Sequence, residues 1–264
     1  MSERVDMPAA AGLLAGDLRR ATGDAVVLCA ADLLSHRHWH GRYPHVAQRL
    51  ARDGVSTLAF DFRGCGDSSD TRVTPESILE DWQAVMAFAH EAGFERLVLW
   101  GHGMLAPTCL GPTASAIAAR VMSAGTTGPL TYDWPRAFGD AAVERLKAQG
   151  WVDVPSYDQS RRPAVRIDRS LLEAIERVDQ ASVCRELTQP LLCLQGDSPA
   201  DGLEPPRLAR NLAALPRLPA GSNVHVIAGA TLSFAGHLDE LADAASQWLA
   251  DRLASPTPEP TPAQ

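Results

Sequence analysis

The stretch Leu97–Ala106, LVLWGHGMLA, is where this chain could present a nucleophile. An apolar β-run reaches Gly101, an imidazole follows at His102, and the chain turns toward a helix. The apex residue of such a turn is held in a strained backbone suited to offering a serine or cysteine to a substrate. Here the apex is Gly103, which carries neither oxygen nor sulfur. No other strand-to-helix turn holds Gly-x-Ser-x-Gly or a cysteine version of it. Cys109 lies about two turns beyond Gly103, out of its reach, and Cys65 in RGCGDS reads as a structural thiol. Ser123 and Thr126 are pocket candidates if the segment after them leaves them open. His36, His38, His40 and His45 form a histidine-rich run in which His36 and His40 could share a helix face at metal-ligand spacing. No Cys or carboxylate constellation accompanies them, so neither a metal nor a cofactor is expected.

Positioning such residues takes a scaffold. Ala25–Ala30, Val55–Phe60, Leu97–Trp100, Ile117–Ser123, Pro190–Gln195 and Asn223–Ile227 read as strands, Ala25–Ala30 and Leu97–Trp100 as buried ones. Tyr43–Arg52, Pro75–Ala92, Pro206–Leu215 and His237–Leu253 read as helices between and after them. In Pro75–Ala92 the residues Ile78, Leu79, Trp82, Val85, Met86 and Ala89 form one face. Strands alternating with helices predict an α/β fold, a mostly parallel central sheet flanked by helices. Val5–Leu18, with turn residues Gly12 and Gly16, could form a strand pair. Residues 126–186, richer in proline, aromatics and charge, read as a short cap-like insertion, with helices at Arg136–Gln149 and Ser170–Ile175. One domain is expected over residues 1–254, followed by a disordered Pro-rich tail at 255–264.

Composition narrows the classes. The 264 residues, 45% hydrophobic and 21% charged, suffice for one large core. A net charge of −8 argues against nucleic acid and anionic membranes as partners. Five scattered cysteines without a CxxC pair read as free thiols of a reducing compartment. The N-terminal stretch lacks the apolar core of a signal peptide, and no run approaches the ~18 apolar residues of a membrane span. The cytoplasm is the expected location.

Three stretches in order carry a resemblance. SHRHWHGRYPHVAQRLARDGVSTLAFDFRGCGDSS ends in an Asp-x-Arg-Gly-x-Gly-x-Ser turn at Asp61, Arg63, Gly64, Gly66 and Ser68. VLWGHGMLA follows, then LLCLQGDSPADGLEPP and VHVIAGATLSFAGHLDEL. Together they resemble the α/β-hydrolase superfamily, most closely its serine-aminopeptidase and dienelactone-hydrolase-like branch, including the hydrolases associated with exosortase systems. The similarity runs from about Val5 to Leu253.

The resemblance implies a serine that attacks an acyl carbon, a histidine that takes its proton, an acid that orients the histidine, and backbone N–H groups that hold the oxyanion. Carried over by position, the nucleophile slot is Gly103, and the elbow's second glycine is Leu105. Glycine relieves ~1–3 kcal/mol of backbone strain there. Gly229 and Ala230 align with the histidine loop, which puts Leu232 where histidine belongs; His237, five residues on, reads as a surface or helix-capping residue. Asp201 fills the acid slot, with Asp197 the runner-up. The oxyanion loop, usually His-Gly, reads Ala30-Ala31 and then Asp32. A carboxylate there would oppose the charge developing in acyl transfer, unless it turns to water. Ala31, Asp32, His102 and Met104 are the expected pocket residues.

Losing the serine or the histidine alone costs such an enzyme about a million-fold in turnover, on the order of 8 kcal/mol. The first reading is therefore a pseudo-hydrolase with a degenerate triad, which binds a small apolar or acyl-bearing ligand or serves a protein partner as a scaffold. An alternative is a lyase, cyclase or isomerase using Asp32, His102 or Asp201 as acid or base. A further one is hydrolysis of esters, thioesters or peptides through an atypical site. An imidazole and a hydroxyl or thiol meeting beneath the bend would overturn the inert reading.

Overall fold

The computed structural model describes residues 1–198 and 207–253. The predicted acid Asp201, the first residue of the helix expected at Pro206–Leu215, and the Pro-rich tail lie outside the described residues.

The chain opens with strands β1 (Glu3–Ala9) and β2 (Gly12–Arg19), then β3 (Ala25–Ala30), helix α1 (Arg42–Arg52), β4 (Ser56–Phe60), β5 (Arg72–Val73) and α2 (Pro75–Glu91). There follow β6 (Arg96–His102), a 3-10 turn over Gly103–Leu110, and β7 (Ile117–Ser123). The insertion holds α3 (Trp134–Phe138), α4 (Asp140–Gln149), β8 (Trp151–Pro155), β9 (Ala164–Asp168), α5 (Arg169–Glu176) and α6 (Gln180–Glu186). β10 (Leu191–Gly196), α7 (Arg207–Ala214), β11 (Asn223–Ile227) and α8 (Leu238–Leu253) complete it.

Among the described residues the main sheet has eight strands in the order β1-β2-β4-β3-β6-β7-β10-β11, and only β2 runs against the rest. In β3 the side chains alternate between two cores: Val26, Leu28 and Ala30 face one, Ala25, Val27 and Cys29 the other. That alternation is what a strand buried on both faces must show. α1 and α8 cover one face through Val46, Leu50, Leu241 and Leu249. α2 and the insertion cover the other through Trp82, Val85, Val152 and Leu171. α2 starts at a capping box in which Thr74 and Ser77 satisfy each other's backbone N–H groups, with Pro75 in the first turn.

Four expectations need correction. Leu79 is 43% exposed, so it lies off the buried face of α2. The segment after Gly103 is a 3-10 turn, because Pro107 has no N–H to offer an α-helical ladder. The single helix expected at Arg136–Gln149 is two, separated by Gly139 at φ +84°. The insertion also contains strands: β8 and β9 pair antiparallel, and β9 pairs in parallel with β5 to make a second, three-stranded sheet. Their alternating Val152, Val154, Val165 and Ile167 are the missed signal. Among the described residues no helix is long and apolar enough to cross a membrane.

Candidate functional site

β6 runs two residues further than predicted and delivers His102 as its last residue, with Gly103 at φ +66° just beyond. A Cβ on Gly103 would lie far inside van der Waals distance of Asp32 Oδ2 and Cγ, and 2.9 Å from Oδ1. The carboxyl of Asp32 therefore occupies the space where a nucleophile's side chain would begin. Asp32 Oδ1 accepts N–H bonds from Leu33 (2.8 Å) and Leu105 (3.2 Å). One donor comes from the loop after β3 and one from the turn after β6, the two segments that supply an oxyanion hole in serine hydrolases of this architecture. Here both are engaged by the protein's own carboxyl. Burial pushes the Asp32 pKa up, against the pull of these N–H bonds and of Arg42 and Arg207.

Close approach around the turn does not need a glycine at Leu105, which is buried. Gly101 and Gly125 provide it instead. A Cβ on Gly101 would sit 2.5 Å from Ala106 O, and one on Gly125 2.6 Å from Met122 Cγ.

Beneath the bend an imidazole and a hydroxyl do meet: His102 Nδ1 and Ser123 Oγ are 3.0 Å apart. This is the meeting expected to overturn an inert reading, and access is what separates the pair from a catalytic one. Ser123 has no exposed surface, and its oxygen also accepts the indole N–H of Trp100 at 2.8 Å. With Ser123 donating to Nδ1, the ring proton sits on Nε2. Burial, with the charges of Arg42 and Arg207, holds the His102 pKa well below its usual value, so the imidazole is neutral.

The other predicted residues are placed as follows. Ala31 is fully buried, while Met104 and Gly103 keep partial exposure. Leu232 is half-buried against the core around α8, and the same loop lays Phe234, at φ +58°, 6.2 Å from the His102 ring. His237 bonds Glu240 (2.6 Å) at the start of α8. Asp197 accepts the Gly229 N–H (2.6 Å) and so ties together the loops after β10 and β11. Thr126 Oγ1 is taken up by its neighbour Gly128. Cys65 and Cys109 are buried and bonded to carbonyls; burial pushes both thiols up, Cys109 to about 11.

The histidine run does not share a helix face: His36 and His38 lie in the loop before α1, His40 in a 3-10 turn over Trp39–Gly41, and His45 alone of the four is on α1. Three of these imidazoles face separate carboxylates, His36 on Asp158, His38 on Asp17 and His45 on Asp239. Among the described residues no group of three potential metal ligands converges.

The Asp-x-Arg-Gly-x-Gly-x-Ser turn holds the loop that carries Asp32. Asp61, fully buried, accepts the Arg37 backbone N–H (2.7 Å), its guanidinium (2.5 Å) and the Asp67 N–H (3.0 Å). A Cβ on Gly66, at φ +47°, would reach into the Asp61 carboxyl. Ser68 donates to Asp61 O and accepts from Ala15 N, and Arg63 binds Asp81 and Glu80.

Sequence reasoning missed two arginines. Arg42, the first residue of α1, is 1% exposed and stacks over Tyr43 at 4.9 Å. Arg207, at the start of α7, is 6% exposed and donates to Tyr132 Oη at 3.4 Å. Two open clefts lie elsewhere, one lined by Pro107, Arg120 and Glu186, the other by Arg72, Arg162 and Arg166; neither is lined by Gly103 or Asp32.

Residues 25–144 match the family model of the serine aminopeptidases, S33. Among solved structures, Est1E from Butyrivibrio proteoclasticus is 15% identical with a TM-score of 0.67, over 96% of this chain and 99% of its own. A soluble variant of monoglyceride lipase from Saccharomyces cerevisiae, in complex with a substrate analog, is 14% identical with a TM-score of 0.71, over 95% and 96%. The α/β hydrolase GrgF from Penicillium sp. sh18 is 13% identical with a TM-score of 0.70, over 97% and 100%. The chain has the α/β-hydrolase fold.

Proposed function

We propose that this α/β-hydrolase-fold protein is a pseudo-hydrolase whose site at Gly103 binds a small apolar or acyl-bearing ligand without forming an acyl-enzyme. The observation that carries the reading is the Asp32 carboxyl, which fills the nucleophile's place and accepts N–H bonds from the two segments that frame an oxyanion hole in this architecture. Were Asp32 ionised, a second negative charge about 4 Å away would be disfavoured by roughly 4 kcal/mol at an effective dielectric of 20. That is about a thousand-fold in rate, on top of the missing serine. Five unpaired cysteines, four of them buried, suit a reducing cytoplasm.

One observation favours a second reading. Asp32 is pushed toward its protonated form and His102 toward its neutral form, and such an opposed pair is the usual setting for acid–base chemistry. It would proceed as a lyase or isomerase step without a covalent intermediate.

Turnover of short-chain nitrophenyl esters and thioesters separates these readings from hydrolysis. Rates at the uncatalysed background are expected, unchanged in Ser123→Ala. Turnover above background that Ser123→Ala abolishes would mean that the His102–Ser123 pair is a working nucleophile.

A further inference from the structure

Residues 156–163 connect β8 to β9 as a strap. Among the described residues, its polar contacts outside itself go to two places. One is the turn at 66–70: Arg162 donates to Gly66 O (2.9 Å), to Ser68 O and to Asp70, and Arg161 pairs with Asp67 at 2.7 Å. None of those groups changes charge between about pH 5 and 8. The other is the loop that follows Asp32. There the Tyr157 N–H donates to Leu34 O (2.8 Å), the Tyr157 ring stacks on Trp39 at 5.6 Å, Asp158 stands 3.4 Å from His36 Nε2, and Arg161 donates to His38 Nδ1 at 3.4 Å.

Hydrogen-bond direction fixes the protonation of both imidazoles. His36 Nδ1 accepts the backbone N–H of His38 (3.2 Å), so its ring proton is on Nε2, toward Asp158. A guanidinium only donates, so His38 Nδ1 also carries no proton, and its ring N–H points to Asp17. A second proton on either ring has only Nδ1 to enter, and there it would meet another N–H. His36 would then have to turn, and turning takes it off Asp158.

The surrounding charges do not reverse this. His36 is faced by Asp158 and Arg161 of the strap, by Asp61 after β4 and by His38 of its own loop. His38 is faced by Asp17 of β2 and by Arg161. Arg37 binds Asp17, Asp61 and Asp67, and Asp67 also binds Arg4 and Arg161, so these carboxylates already have cations. Burial, with the charge of Arg161, holds the His36 pKa below its usual value against the pull of Asp61 and Asp158.

We propose that the strap is a pH-operated latch, attached to the loop after Asp32 while His36 and His38 are neutral and released from it when they take up protons, with Arg162 still holding it on the 66–70 turn. Released histidines have the ordinary pKa of about 6.5, so the released state binds more protons than the attached one. Attachment is therefore full above about pH 6.5 and weakens as pH falls, by at most about ten-fold per pH unit for each histidine. Release frees Leu34 O and the face of Trp39, both on the loop that Asp32 begins, whatever the site binds.

Hydrogen exchange at the Tyr157 amide tests this, corrected for the intrinsic pH dependence of exchange. From about pH 7.5 to 5.0 its protection should fall at least about ten-fold; one histidine of free pKa about 6.5 can supply about thirty-fold. His36→Asn, whose side-chain oxygen can accept the His38 N–H but takes up no proton, should lose most of that fall, and His36→Asn with His38→Asn all of it. His102→Gln should keep it, which separates the latch from acid effects at the buried imidazole. Equal protection at the two pH values in wild type would overturn the proposal, and that comparison needs no variant to fold. So would a fall undiminished in His36→Asn, one that survives the double substitution, or one that His102→Gln removes.

Discussion

Gly103 and Asp32 act as a pair across 71 positions of sequence. Gly103→Ser would place a side chain in left-handed backbone, at ~1–3 kcal/mol, and into the Asp32 carboxyl, at a further ~1–3 kcal/mol. Adding Asp32→Ala should recover the second part, giving a coupling of ~1–3 kcal/mol in a double-mutant cycle read by urea denaturation. Additive effects would separate the two residues. His102 gives a pH signature. Its folded pKa is depressed, so below about pH 6.5 the folded chain binds fewer protons than the unfolded one. Its contribution is full above that pH and declines below it, by at most ~1.4 kcal/mol per pH unit. Asp32, whose folded pKa is raised, acts with the opposite sign: its contribution is lost as pH rises through that value. Comparison with His102→Gln isolates the His102 part, and wild type should lose stability relative to that variant as pH falls below about 6.5. The empty nucleophile slot was legible in the sequence because residue type decides it. The occupant was not, because the rotamer of Asp32 is fixed by a backbone N–H of Leu105 that only folding brings near.

The elements around the site are held from behind by the turn at Asp61. Asp61→Ala would leave the Arg37 guanidinium, itself 1% exposed, without its shortest carboxylate contact. A loss of about 3–5 kcal/mol is expected, with faster amide exchange concentrated in residues 36–41 ahead of α1. A loss below about 1 kcal/mol, as for an exposed pair, would remove this turn's anchoring role. At this scale the sequence was most informative where periodicity was long or burial nearly complete: β3 and β7 have the predicted bounds, α2 is within one residue, and the largely exposed edge strand β11 also matches. It failed where short signals compete. Pro107 and Gly139 each interrupt a helical pattern, and in the insertion Val152, Val154, Val165 and Ile167 alternate over spans too short to stand out.

For the molecule as a whole, the sheet brings its chemistry to the carboxyl ends of the strands, as open α/β sheets do. Asp32 follows β3, Gly103 follows β6, Ser123 ends β7 and Phe234 follows β11. Among the described residues, the three non-glycine residues at positive φ, His40, Ala124 and Phe234, lie in turns and loops at the same edge. Backbone strain of this kind concentrates at functional sites. The insertion adds Tyr157 to that edge through its N–H bond to Leu34 O, and Tyr132 through Arg207. The central claim, that this edge performs no acyl transfer, is tested most directly by incubating the protein with a fluorophosphonate probe and mapping any adduct by mass spectrometry. Unmodified protein is the expected result, for wild type and for Gly103→Ser alike, since the variant would carry a hydroxyl with no histidine to activate it. Stoichiometric labelling of wild type, at Ser123 above all, would contradict it.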